Sequence, residues 1–161
     1  MLGGVFVGEN ILFKELKEVD LNTVSQIHAL FPHWRVASVQ KKLNATIEGK
    51  DKRFVGVSGG KIIAHVRLVS QKGLHKHRTE VTSLIVEERQ RRQHIGTELM
   101  KSALACVSPA KKIIILAVDS KNKSAIKLYK KLGFVRYGLL KKASLVNGKF
   151  VDNYLMKKDL S

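Results

Sequence analysis

The chain is short of several things at once. Among its 161 residues there is one cysteine, Cys106, so no intrachain disulfide can form and a reducing, cytoplasmic setting is expected. The only prolines are Pro32 and Pro109, and neither opens a Pro/Ser linker. With no internal repeat or low-complexity block either, the reading is a single domain over residues 1–161. The longest purely apolar stretch, Ile113 to Val118, is far below the roughly 20 residues that a helix needs to cross a bilayer. The segment from Met1 to Glu9 has no basic start and meets an acid early, which makes it a poor secretory signal. Acidic residues are the clearest shortage. Thirteen Asp and Glu stand against 30 Lys and Arg, a net charge of +17. Such a field repels polyamines and other cationic small molecules and attracts polyanions: nucleic acid, the ribosome, anionic lipid or a phosphorylated cofactor. Lysines that merely solvate the surface would give the same number.

What is present is an ordinary hydrophobic share, 44%, enough for a core in a chain of this length. Ile11 to Lys17 alternates as a strand, and Asp20 can cap a helix carrying Leu21, Val24, Ile27, His28 and Phe31 at helical spacing. Ser38 to Gly49 reads as a second helix. Arg53 to Ser58 and Lys61 to Val69 flank Gly59-Gly60 as a hairpin. Thr79 to Val86 is a strand. Ile95 to Val107 is a helix with Ile95, Leu99, Ala103 and Cys106 on one face, and Pro109 stands just past its end. The β-branched run Ile113 to Val118 suits a strand covered on both faces. Lys121 to Leu132 is a helix stopped by Gly133, and Phe134 to Val146 and Lys149 to Met156 flank Asn147-Gly148 as a hairpin. The order β-α-α-β-β-β-α-β-α-β-β is an α/β plan with a mixed sheet.

Two segments carry chemistry. Val86-Glu-Glu-Arg-Gln-Arg91-Arg-Gln-His-Ile-Gly96-Thr reads as a strand ending in a basic, Gly-containing turn that opens a helix. Backbone N–H groups and a helix dipole then converge on one spot, a seat for a pyrophosphate formed by Arg91, Arg92, Gln93, His94, Ile95, Gly96 and Thr97. About thirty residues later comes Asn122-x-x-Ala125-x-x-x-Tyr129-x-x-x-Gly133-Phe134, whose Asn122, Ala125, Ile126 and Tyr129 share one helix face.

Together these segments resemble the two signature blocks of the GNAT superfamily of acyl-CoA-dependent N-acetyltransferases, and the element order over nearly the whole chain is similar to that family's. The resemblance implies a mixed, mostly antiparallel sheet of about seven strands flanked by about four helices, with acetyl-CoA as acyl donor and no metal. It assigns the pantetheine arm to the backbone of Leu84, Ile85 and Val86, a cofactor contact to the side chain of Asn122, and the thioester sulfur to the hydroxyl of Tyr129. His94 departs from the family pattern, which has glycine there; it either restricts the loop or takes up the required left-handed conformation, which His tolerates better than most residues.

The implied reaction is direct attack of a primary amine in a ternary complex, without a covalent enzyme intermediate. An amine of pKa about 10.4 is only about one part in ~10³ neutral at pH 7, so a base is useful. Glu80 is the candidate, placed by strand alternation on the face of Leu84 and Val86; water is the alternative, and Glu80 as a salt-bridge partner of Arg78 or a lysine is the plainer reading. Tyr129 is the candidate acid. His75 and His77 are spaced i, i+2 with a cation between them, a poor metal pair. Phe31 to Arg35 and Tyr137 to Tyr154 are the expected acceptor walls, and the charge favours a neutral or acidic amine, in a monomer or homodimer. Two competing readings remain: a basic nucleic-acid or ribosome-binding module, and an acyl-CoA sensor without turnover.

Overall fold

Local sequence chemistry sets most element ends. The computed structural model describes residues 6–7 and 10–161. Among them are eight strands and four α-helices: β1 Phe6–Val7, β2 Ile11–Glu15, α1 Leu21–Leu30, α2 Val36–Ile47, β3 Lys52–Ser58, β4 Lys61–Ser70, β5 Arg78–Val86, α3 Ile95–Ala105, β6 Ile113–Asp119, α4 Lys123–Lys131, β7 Val135–Val146 and β8 Lys149–Asp159. The pairs β1–β2, β2–β3, β3–β4, β6–β8 and β7–β8 are antiparallel, and β5–β6 is parallel. This is the mixed, mostly antiparallel α/β plan that the sequence suggests, with the short β1 added at the start. Contacts divide the chain into two compact units: one runs through Val69 and takes in Ser83–Val107, the other holds Ser70–Thr82 and Ser108–Ser161.

In the first unit β1 to β4 form an antiparallel meander. Gly59 and Gly60, at φ of 54° and 75°, make the tight β3–β4 turn. Asp20 caps α1 by accepting a 2.6 Å hydrogen bond from the Thr23 N–H. Val24, Ile27 and Leu30 of α1 and Val39 and Leu43 of α2 bury against Leu16, Val55 and Ile62, with Trp34, Phe31 and Ile85 partly buried on the same cluster. At Gly56 an added Cβ would stand 3.1 Å from the Phe13 ring, so a larger residue would crowd the core. Helix α3 buries Ile95, Leu99, Met100 and Ala103. Cys106 caps its end and is half-buried; the periodic face stops one turn earlier than its apolar spacing suggests, because the helix has already ended.

In the second unit Arg78–Glu80 of β5 run alongside Ile113–Ile115 of β6, which in turn pairs with β8. Asn147 and Gly148 (φ 48° and 74°) make the β7–β8 turn as expected. Helix α4 starts two residues later than its sequence pattern suggests. Asn122 is its cap, accepting from the Ala125 N–H at 3.0 Å. Gly133 follows its end at φ 87°. Strand β6 corrects another expectation. Ile114, Leu116 and Val118 are buried but Ala117 is exposed, so one face is covered and the other partly open. A continuous apolar run reports hydrophobicity, not how much lies over it.

Candidate active site

In the first unit the segment after β5 reverses direction through two left-handed residues. Arg92 has φ 66° and His94 has φ 60°. His94 is the residue before α3, and its carbonyl accepts from the N–H groups of Thr97 and Glu98 at 2.9 and 3.1 Å. The N–H groups of Arg92, Gln93, His94, Ile95 and Gly96 have no hydrogen-bond partner among the described residues. A row of unpaired donors with left-handed steps, at the positive end of a helix dipole, is backbone geometry that suits an anion. His94 therefore adopts the conformation that a glycine would adopt, and its exposed side chain makes no cap bond. Ile95, Gly96 and Thr97 are buried, so their contribution to any anion comes through the backbone. Arg91 reaches back and donates from Nε to the Val86 carbonyl at 3.1 Å, closing the turn over the end of β5.

Leu84, Ile85 and Val86 are half-buried at the end of β5. Ser83, just before them, is left-handed at φ 56°. That step interrupts strand alternation: Thr79 and Val81 are buried with their neighbours half-exposed, whereas Leu84, Ile85 and Val86 are all half-buried. The inference that Glu80 shares a face with Leu84 and Val86 does not carry through Ser83, since alternation holds only along an unbroken strand.

No motif in the sequence marks the buried polar cluster in this unit. Arg53 and His65 are 1% and 0% exposed and Asp51 is 5% exposed. The Arg53 guanidinium donates from Nε to Thr46 Oγ1 at 2.7 Å, from Nη2 to the Lys42 carbonyl at 3.0 Å and from Nη1 to His65 Nε2 at 3.0 Å. Thr46 passes its own hydroxyl proton toward Asp51, which also accepts from Arg67 Nε at 2.6 Å. A guanidinium can only donate, so His65 Nε2 carries no proton and Nδ1 does; Nδ1–H donates to the Ser83 carbonyl at 3.1 Å. Burial, with help from Arg53, pushes the His65 pKa down to about 3, so the ring is neutral. Burial likewise brings Arg53 down to about 10, still a cation at neutral pH. The signal that the sequence does hold is position: Arg53 and His65 stand within the mostly apolar runs of the two hairpin strands, Arg53 opposite Arg67 and His65 opposite Val55. Phe31 meets the His65 ring edge-on, with centroids 5.4 Å apart, and stacks on Trp34 at 4.3 Å.

In the second unit the Glu80 carboxylate accepts from Gln71 Nε2 at 3.0 Å, and no ion pair to Arg78 or a lysine forms among the described residues. Asn122 is exposed, with its side-chain carbonyl engaged by the Ala125 N–H and its amide NH₂ free of bonds among the described residues. Tyr129 is 7% exposed and meets Phe134 edge-to-face at 5.8 Å. Its hydroxyl makes no hydrogen bond among the described residues, and burial pushes its pKa up to about 12. It is a protonated donor throughout the neutral range.

Residues 21–134 match the profile of the Acetyltransferase (GNAT) family. The chain is 28% identical over 109 residues to the L-amino acid N-acetyltransferase AaaT of Escherichia coli K12, a match covering 66% of this chain and 67% of that protein. It is 40% identical over 73 residues to N-alpha-acetyltransferase 30 of Xenopus laevis, covering 43% of this chain and only 27% of that protein's length. An acetyltransferase of the GNAT family from Streptococcus pneumoniae has the same fold, with TM-score 0.78 at 19% identity over 94% of this chain and 100% of that one. The chain belongs to the GNAT acetyltransferase family, the acyl-CoA-dependent N-acetyltransferases.

Proposed function

We propose that this chain moves the acetyl group of acetyl-CoA to the primary amine of a neutral or acidic acceptor, by direct attack and without an acyl-enzyme. The observation that carries this reading is the unbroken row of unpaired N–H groups from Arg92 to Gly96, with His94 left-handed where the family has glycine. Bound acetyl-CoA supplies an activated acyl thioester. In this reading the N–H groups of residues 92–96 and the α3 dipole hold its pyrophosphate, while exposed Arg91 and Arg92 add charge. The peptide groups of Leu84, Ile85 and Val86 pair with the amides of its arm. The free amide NH₂ of Asn122 is available to the cofactor, since only its carbonyl is needed for the cap. Tyr129 directs its phenolic O–H at the departing sulfur, a role supported by its unshared hydroxyl, which burial keeps protonated. Glu80, or water in its place, takes the proton from the attacking amine; Cys106 has no part.

An amino acid, a peptide N-terminus or a lysine in acidic surroundings would suit the acceptor. Support comes from the net charge of +17 and from relatives named for L-amino acid and N-alpha acetylation. Calorimetric titration with acetyl-CoA, with desulfo-CoA and dephospho-CoA as controls, tests the reading. Micromolar binding that weakens without the 3′-phosphate is the expected result. Absence of binding at low salt would overturn it, and the polyanion-binding reading would then lead.

A further inference from the structure

Ser83 is an L residue held at φ 56° in the middle of a strand, directly before Leu84, Ile85 and Val86. Left-handed backbone is unfavourable for any residue with a Cβ and persists only where its surroundings determine it. One side-chain bond bears on that step: His65 Nδ1–H donates to the Ser83 carbonyl at 3.1 Å. His65 cannot turn away. Its other nitrogen accepts from Arg53 at 3.0 Å, its ring edge meets Phe31, and it is fully buried. Arg53 in turn is fixed by Thr46, the Lys42 carbonyl and, through Thr46, by Asp51.

Lys42 belongs to α2, and its ammonium lies 4.5 Å from the centroid of the Trp34 ring. Trp34 is stacked on Phe31, and its carbonyl is bonded to His28 Nε2 at 2.9 Å. One buried imidazole thus touches both the α1–α2 loop and the strand end before the turn of residues 87–94.

We propose that His65 is a positioning residue: its Nδ1–H holds the left-handed step at Ser83 and thereby sets the orientation of the Leu84–Val86 peptide groups toward the acyl-CoA arm. Arg53 acts through it by fixing the tautomer, and Phe31 with Trp34 brings the α1–α2 loop onto the same ring. The assignment of the acyl-CoA arm to these peptides rests on the proposed function; the hold on Ser83 does not.

Two substitutions divide the roles of the ring. His65→Asn keeps a donor where Nδ1 stood and loses the acceptor for Arg53. His65→Gln keeps an acceptor for Arg53 and loses the donor to Ser83. Amide hydrogen exchange of the free protein, together with acetyl-CoA KM and kcat, reads them out. The expected result for His65→Gln is exchange at Leu84–Val86 faster by roughly tenfold, with a similar rise in acetyl-CoA KM and little change in kcat. His65→Asn is expected to lower the denaturation midpoint while exchange at Leu84–Val86 and KM stay near wild type. The proposal is overturned if the two variants behave alike, or if neither changes exchange at Leu84–Val86. Failure of the wild type to bind acetyl-CoA would remove the proposed function, while the exchange contrast would still decide whether His65 holds Ser83.

Discussion

Arg53 and Arg67 stand directly opposite each other across β3 and β4, and one carboxylate, that of Asp51, serves both. Asp51 Oδ2 accepts from Arg67 Nε at 2.6 Å, and its Oδ1 lies 3.6 Å from Arg53 Nε. Like charges facing each other on a sheet repel, so the pairing depends on the acid between them. Asp51→Asn is expected to destabilise the fold by about 3–5 kcal/mol, the usual consequence of leaving a buried cation, here Arg53, without its partner. Chemical denaturation checks this through a lowered midpoint at unchanged slope. A loss below about 1 kcal/mol would mean that Thr46 and Lys42 satisfy Arg53 unaided.

The same cluster sets a pH dependence. His65 is neutral in the folded protein down to about pH 3, whereas in the unfolded chain it titrates near its usual 6.5. Between those values the unfolded chain binds the extra proton, so stability rises with pH across this window, by at most about 1.4 kcal/mol per pH unit. Its contribution is complete above 6.5 and is lost progressively as pH falls toward 3. Unfolding free energies measured along this acid limb should fall more steeply for wild type than for His65→Gln. Parallel slopes would assign the acid sensitivity to carboxylates alone.

His94 offers a test on the surface. It is exposed and left-handed, and its side chain makes no cap bond, so little is lost with the imidazole. His94→Gly should relieve the backbone and stabilise the protein by about 1 kcal/mol. Since the N–H groups of residues 92–96 stay where they are, acetyl-CoA affinity should be kept or improved. A marked loss of affinity would show that the imidazole itself touches the phosphates.

Much of this architecture was legible because it is local. Asp20, Gly59-Gly60, Gly133 and Asn147-Gly148 each act within a few residues, and each does what its chemistry says. The turn at residues 91–97 was legible for the same reason. What escaped was non-local or depended on coverage. The Arg53–His65–Ser83 chain joins three strands, and no spacing within one segment announces it. The left-handed Ser83 broke an alternation that placed Glu80 with Leu84, and nothing in Thr-Ser-Leu marks such a step. The open face of β6 went unseen because Ala117 is as apolar as its buried neighbours.

In the proposed reaction the raised pKa of Tyr129 leaves it the role of donor and not of base. With a value of about 12, the phenol stays protonated across the range in which an N-acetyltransferase works, so it can donate a proton but cannot serve as base. Tyr129→Phe should therefore lower kcat by roughly 10²–10⁴-fold, the ordinary worth of a general acid, with acetyl-CoA affinity nearly unchanged. The pH–rate profile should keep its shape, because the lost group does not titrate within it. Glu80→Gln should lower kcat/KM for the acceptor while leaving acetyl-CoA affinity near wild type. Unchanged kcat/KM in Glu80→Gln would leave deprotonation to water and to the acceptor amine itself. Normal turnover in Tyr129→Phe would remove the phenol from the mechanism and leave the thiolate to depart without a protein acid.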